Sequence, residues 1–177
     1  MNKTNLLRVP TPRLILRALK DTDVQRVYQI ASHPKVNASV AILPVVYTQE
    51  DAVAWVARSQ AGFQTGQEYL WGIEHVESKR LIGHVGLHRL EDTFTAELGY
   101  WLDARYWGKG YASEVVSAVL SLAKHQLVLC RVVATTAREN HASRRVLETH
   151  GFVWLYTACQ AVGLESERWS HYFERML

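Results

Sequence analysis

Apolar residues recur along this chain at two spacings, and the switches between them mark out its elements. Between Arg13 and Arg17 the run Leu14-Ile15-Leu16 reads as a first strand. Val24, Val27, Tyr28 and Ala31 fall on one face of a helix. Asp21 can cap its start, and His33-Pro34 stops it at about Ser32, because the residue before a proline avoids helical backbone. Val36 to Val46 reads as an apolar loop broken by Pro44. Thr48-Gln49-Glu50-Asp51 resembles a capping box with Asp51 in the glutamate position, opening a helix that carries Ala52, Val53, Trp55, Val56 and Phe63. Tyr69 to Val76 and Arg80 to Leu90 read as strands joined by a turn at Glu77-Ser78-Lys79, and Phe94 to Leu102 as a third. Ala112, Val115, Val116, Val119, Leu120 and Ala123 return to helical spacing. Cys130 to Thr136 is a β-branched strand. Asn140 starts a helix to about Thr149, and Gly151 ends it in a left-handed position. Phe152 to Val162 and Arg168 to Met176 are the last strands.

This order, βααβββαβαββ, is that of one α/β domain with a mixed central sheet and flanking helices. At 177 residues the chain suits a single domain with a sizeable core. Its 48% hydrophobic and 21% charged residues fit a soluble globular protein. No apolar run approaches the roughly 20 residues of a membrane span. Met1-Asn2-Lys3-Thr4-Asn5 lacks a signal-peptide core, so a cytoplasmic location is expected. Cys130 and Cys159 lie in apolar strand-like segments and read as buried free thiols, which suits a reducing compartment. The net charge of +3 is scattered, so neither nucleic acid nor membrane is an expected partner. Arg144-Arg145 reads as a solvated helix face.

The segment from Glu97 to Ala112 carries the candidate chemistry. It reads as a strand, a glycine loop with the spacing Arg105-x-x-Gly108-x-Gly110, and the start of a helix. Free N–H groups at a helix start, with the helix dipole behind them, favour an anion, so the loop is a candidate pyrophosphate cradle. A loop with two glycines also makes an ordinary turn. Gly110-Tyr111 after Lys109 excludes a P-loop, and the surrounding order does not fit a dinucleotide fingerprint.

Taken together, these pieces resemble the GCN5-related N-acetyltransferase (GNAT) superfamily, with a closer likeness to the RimJ/RimL type, from about Thr11 to the last strand. The resemblance rests on Arg13-Leu14-Ile15-Leu16-Arg17, on Glu97-Leu98-Gly99-Tyr100-Trp101-Leu102, and on Arg105-x-x-Gly108-Lys109-Gly110-Tyr111-Ala112. Asn140-x-Ala142-Ser143-x-Arg145-Val146-Leu147-Glu148 and Gly151-Phe152 follow in order. It implies acetyl-CoA held between two splayed strands, those around Tyr100 and Val133. The backbone of Arg105 to Gly110 would hold the pyrophosphate, and Tyr100, Trp101, Leu102, Lys109, Tyr111, Ala112, Asn140 and Ser143 would complete the cofactor site, Asn140 on the pantetheine arm. Two positions depart from the family. Val128 stands where a glycine is usual, and Leu147 stands where many members carry the tyrosine that protonates the leaving thiolate. Ser143, one turn earlier on the same helix face, is the substitute.

Aminolysis of a thioester needs a neutral amine. An α-amine, with a pKa of about 7.7 to 8.0, is already partly neutral near pH 7, whereas a lysine at about 10.4 is not. Glu97, sharing a strand face with Gly99 and Trp101, is the candidate base; pairing with Arg89 is the alternative. Ser143 could protonate or orient the sulfur. His84 and His88 share a face with Gly86 but lack a further ligand, so no metal is expected. Trp55, Tyr69, Trp71 and Trp101 read as core, Tyr106 and Trp107 as braces of the loop, and His141 as surface. The expected acceptor is the N-terminal α-amine of a protein, a ribosomal protein by the resemblance, in a groove between the Pro34–Thr48 and Gln160–Arg168 loops. Only Glu165 and Glu167 mark the second loop. A small-molecule amine or antibiotic acetyltransferase and a non-catalytic acyl-CoA-binding module are the alternatives, and monomer and homodimer both stay open.

Overall fold

Where each strand finds its neighbour decides how the sheet opens, and the pairing is written in the register. The computed structural model describes residues 6–40, 43–89, 94–162 and 166–177. The strands are β1 (Arg8–Pro10), β2 (Leu14–Ala18), β3 (Glu68–His75), β4 (Leu81–Arg89), β5 (Thr95–Leu102), β6 (Arg131–Ala137), β7 (Val153–Val162) and β8 (Ser166–Met176). The helices are α1 (Val24–Ala31), α2 (Pro34–Ser39), α3 (Gln49–Thr65), α4 (Tyr111–His125) and α5 (His141–Thr149). The strands form one sheet in the order β1-β2-β3-β4-β5-β6-β8-β7, antiparallel except for the β5–β6 pair. That parallel pairing runs from Thr95–Arg131 to Leu98–Ala134 and stops there, although β5 continues to Leu102 and β6 to Ala137. The sheet is thus unzipped down its middle from Gly99 onward. Val133, still paired with Glu97, lies in the closed part, so the opening begins beyond it.

The two faces of β5 serve two apolar clusters. Leu98 and Leu102 are buried in the larger one, where Val115, Val116, Val119, Leu120 and Ala123 of α4 and Leu147 of α5 pack on the sheet. Trp101 faces the other, built from Val27, Ile30, Val36, Ala52 and Val56 of α1, α2 and α3. Trp71 and Tyr69 are core as expected, Trp71 donating from Nε1 to the Leu6 carbonyl at 2.6 Å. Trp55 is only half-buried, at the edge of the second cluster.

Several local expectations need correction. Pro34 does end α1, but it also begins α2, occupying the first turn where its missing N–H costs nothing, so part of the expected loop is helical. Asp21 does not cap α1. Asp21–Asp23 is a turn of 3-10 helix in which Asp23 accepts the Lys20 N–H at 2.8 Å and meets Arg17. The expected Gln160–Arg168 loop is largely strand, with β7 reaching Val162 and β8 starting at Ser166; Glu165 and Leu90 lie outside the described residues. Both cysteines are exposed rather than buried, Cys130 just ahead of β6 and Cys159 on the sheet-edge strand β7. The Thr48–Asp51 capping box and the left-handed Gly151 (φ 76°) are as expected.

Candidate active site

Glu97 sits one step before the last β5–β6 pair, Leu98–Ala134, where the sheet opens; it is half-buried, opposite Val133 on one side and His88 on the other. No hydrogen bond or ion pair engages its carboxylate among the described residues, and the Arg89 side chain that could compete for it lies outside them. Its charge is felt by Tyr172 of β8, whose hydroxyl is pushed up by burial first, then by Tyr156 and Glu97.

Across the opening, on the other face of β5, Tyr100 reaches α5. Its hydroxyl lies 2.8 Å from Ser143 Oγ. Burial pushes the Tyr100 phenol up to about 12, outweighing the opposing pull of Ser143, so it keeps its proton and can donate to Ser143 Oγ. Ser143 is placed by Asn140, whose Oδ1 accepts the Ser143 N–H at 3.0 Å as the cap of α5. The same Asn140 amide donates from Nδ2 to the Ser39 carbonyl at the end of α2, 3.1 Å away. Leu147 is fully buried, which explains why the tyrosine position can be aliphatic here.

The glycine loop is held from outside. Gly108 (φ 72°) and Gly110 (φ 77°) both take left-handed backbone, Gly110 as the cap of α4. Arg13 donates to the Lys109 carbonyl at 2.9 Å and to Glu114 in the first turn of α4 at 2.7 Å. Trp107 donates to the Leu102 carbonyl at 2.8 Å, the bracing role expected of it. Of the other loop residues, Arg105 spends its guanidinium on Asp103, which also binds Arg26. Burial raises the Asp103 carboxyl, but the Arg105 and Arg26 hydrogen bonds prevail and hold it well below the usual carboxylate range. Tyr111 points away, its hydroxyl 3.0 Å from His75 Nε2 and its ring beneath Arg13. Lys109 lies over the Tyr106 ring. The side chains of Trp101 and Leu102 are core, and Ala112 packs on the larger cluster, so of these three only backbone is offered to the opening.

On the face of Glu97, α3 contributes Arg58. It pairs with Glu68 of β3 through Nε at 2.7 Å and through Nη2, and Glu68 Oε1 is 3.3 Å from His88 Nδ1. Beside Arg58 lies a cavity of about 200 Å³ lined by Leu43, Pro44, Tyr47, Asp51, Ala54 and Trp55. A second cavity, of about 220 Å³, lies by Ser117, Lys124, His150 and Arg175 and contains none of the candidate residues. His84 is buried between Trp55 and Trp101, and its imidazole is pushed down to about 3 by desolvation. Among the described residues, no group of three or more His, Cys, Asp or Glu side chains could hold a metal ion, and no helix is long and apolar enough to cross a membrane. His141 is exposed.

The arrangement is therefore a split sheet with a carboxylate at its apex, a positioned hydroxyl across it and a helix N-terminus at its mouth. The family model for the acetyltransferase (GNAT) domain matches residues 13–153, and the chain belongs to that family. It is 35% identical to YoaA, an uncharacterised N-acetyltransferase of Bacillus subtilis (strain 168), over 80% of each chain. It is 28% identical to the ribosomal-protein-serine acetyltransferase of Escherichia coli (strain K12), over 79% of each. Its fold matches that of a RimL α-N-protein acetyltransferase solved in complex with coenzyme A, with a TM-score of 0.83 at 22% identity over 96% of this chain and 98% of the other. The protein is an N-acetyltransferase.

Sequence reasoning missed the Arg58–Glu68–His88 group and the Tyr100–Ser143 contact. Alternation along β4 does put His84 and His88 on one face, but only the strand register sets His88 between Glu68 and Glu97.

Proposed function

We propose that this chain transfers the acetyl group of acetyl-CoA to the N-terminal α-amine of a protein, a ribosomal protein by kinship with its named relative. The observation that carries the reading is the end of β5–β6 pairing at Leu98–Ala134, one step past Glu97. It leaves the β6-facing side of β5 unpaired from Gly99 onward, beside a carboxylate and opposite Ser143. Glu97 takes the proton of the amine. The unpaired β5 N–H groups face the oxygen on which charge develops. Ser143 Oγ, receiving the Tyr100 hydroxyl hydrogen, directs its own hydrogen at the departing sulfur. The backbone of Arg105 to Gly110 and the first turn of α4 take the pyrophosphate, while Asn140 keeps one amide hydrogen for the pantetheine arm.

The test is one peptide with a free N-terminal serine and one internal lysine, acetylated at pH 7 and mapped by mass spectrometry. The pKa gap of two units or more makes the neutral fraction of the α-amine about 100-fold larger. Acetylation should fall on the N-terminus, and Glu97→Gln should lower kcat by about 100-fold or more with CoA affinity retained. Lysine acetylation, or turnover with small amines only, refutes the acceptor; near-normal kcat in Glu97→Gln removes Glu97 from the mechanism.

A further inference from the structure

Glu68, His88 and Glu97 stand in register on three adjacent strands, so they form one row across the same sheet face. His88 is the middle member, largely buried, with its Nδ1 turned to Glu68 at 3.3 Å. Arg58 Nη2 is also 3.3 Å from that nitrogen, but it binds Glu68 Oε1 as well. A carboxylate oxygen accepts from both donors at once, whereas Nδ1 cannot both carry a hydrogen and accept one. With Nδ1–H given to Glu68, the lone pair is left on Nε2.

Resting on the function proposed above, we propose that His88 is a positioning residue of the acceptor site, taking at Nε2 the proton that Glu97 removes from the amine. The ammonium of the acceptor loses one proton to Glu97 and through it to His88, which releases it to solvent. The nitrogen then bonds the acyl carbon, the carbon–sulfur bond breaks, and the second nitrogen proton balances the one gained by sulfur. Glu68 stabilises the imidazolium while it lasts, and Arg58 keeps Glu68 ionised: the Arg58 hydrogen bond lowers its carboxyl, against the opposing effect of burial. The charged and titratable groups facing His88 are Arg58 from α3, Glu68 from β3, Glu97 from β5 and His84 along β4, with Tyr172 of β8 beyond Glu97.

Nitrogen-15 NMR of the full chain reads the row without turnover. His88 should be the Nδ1–H tautomer, and its titration midpoint should fall by about half a unit or more in both Glu68→Gln and Glu97→Gln, since each removes a negative charge that favours the imidazolium. A midpoint unmoved by Glu97→Gln overturns the proposal. With acetyl-CoA and the serine peptide, His88→Gln should lower kcat on the order of 10-fold, less than direct loss of a base. It should also erase the acid limb of the pH profile and leave the acetyl-CoA KM unchanged. Added imidazole should restore part of the loss in His88→Ala. An equal loss at every pH without rescue means a packing role and refutes the relay. If the wild-type chain acetylates no amine, the function fails while the titration still decides the row.

Discussion

Val128 shows how much a single residue can cost. It ends the turn between α4 and β6 with φ at 53°, a left-handed backbone that β-branched side chains avoid. Leu127 and Leu129 on either side are buried, and their N–H groups bind the Leu122 and Ala123 carbonyls at 3.0 and 2.9 Å, so the turn is held shut around the strain. Val128 itself is 64% exposed and contributes little burial to offset it. Relief of about 1–2 kcal/mol from the backbone, less about 0.4–1 kcal/mol for the freer unfolded glycine, leaves a gain. Val128→Gly should raise stability by about 0.5–1 kcal/mol in urea unfolding, and a lower midpoint would refute the strain. The family pattern marked this position from sequence. What could not be read was that the turn keeps its shape and strains the valine.

At the scale of the element, the glycine loop and α4 make the sharpest case. An added Cβ at Gly108 meets nothing within 4 Å, whereas at Gly110 it comes 3.4 Å from Arg13 Nη2. Gly108 is therefore the position where a side chain would compete with a bound pyrophosphate without disturbing the loop's own contacts. Asparagine tolerates left-handed backbone, so Gly108→Asn should fold normally yet lose about 10-fold or more in CoA affinity, about 1.4 kcal/mol. Calorimetry with CoA checks this, and unchanged affinity would remove the loop from the cofactor site. The strand–loop–helix order around it was legible because apolar spacing, glycine and capping residues all signal locally. The short strand Arg8–Pro10 and helix α2 were not, since three residues carry no period and Pro34 reads equally as a stop and a start. Of the candidate site, the single positions Glu97, Gly108 and Ser143 could be named along the chain. Its contacts across the chain were hidden, because Tyr100–Ser143 and Glu68–His88–Glu97 depend on register and packing.

At the scale of the molecule, acid should act through carboxylates held low by arginines. Burial raises the Asp23 carboxyl, but the Arg17 guanidinium and the Lys20 N–H together bring it below its ordinary value. Asp103 is depressed in the same way. Their folded values lie below the unfolded value of about 3.9, so the folded state binds fewer protons. The stabilisation is complete above about pH 5 and is lost as pH falls through the folded values. Urea midpoints should begin to fall below about pH 6.5, where the unfolded chain charges the His84 imidazole that burial keeps neutral in the fold, and fall more steeply below pH 4 as the carboxylates add their share. Asp23→Ala, which leaves the buried Arg17 with Glu74 as its remaining carboxylate partner, should cost about 3 kcal/mol at pH 7. Midpoints unchanged down to pH 3 would show that these pairs are not coupled to folding.

The Asn140–Ser39 hydrogen bond joins the α5 side of the split sheet to the α2 side, residues 101 apart in sequence. One amide thus belongs at once to the half of the molecule assigned to the cofactor and to the half assigned to the acceptor. Linkage then works in both directions. If the pantetheine arm strengthens or weakens the hold of Asn140 on α2, acetyl-CoA changes acceptor affinity by some factor, and the acceptor must change acetyl-CoA affinity by the same factor. The two substrates of this enzyme would then bind as a thermodynamically coupled pair.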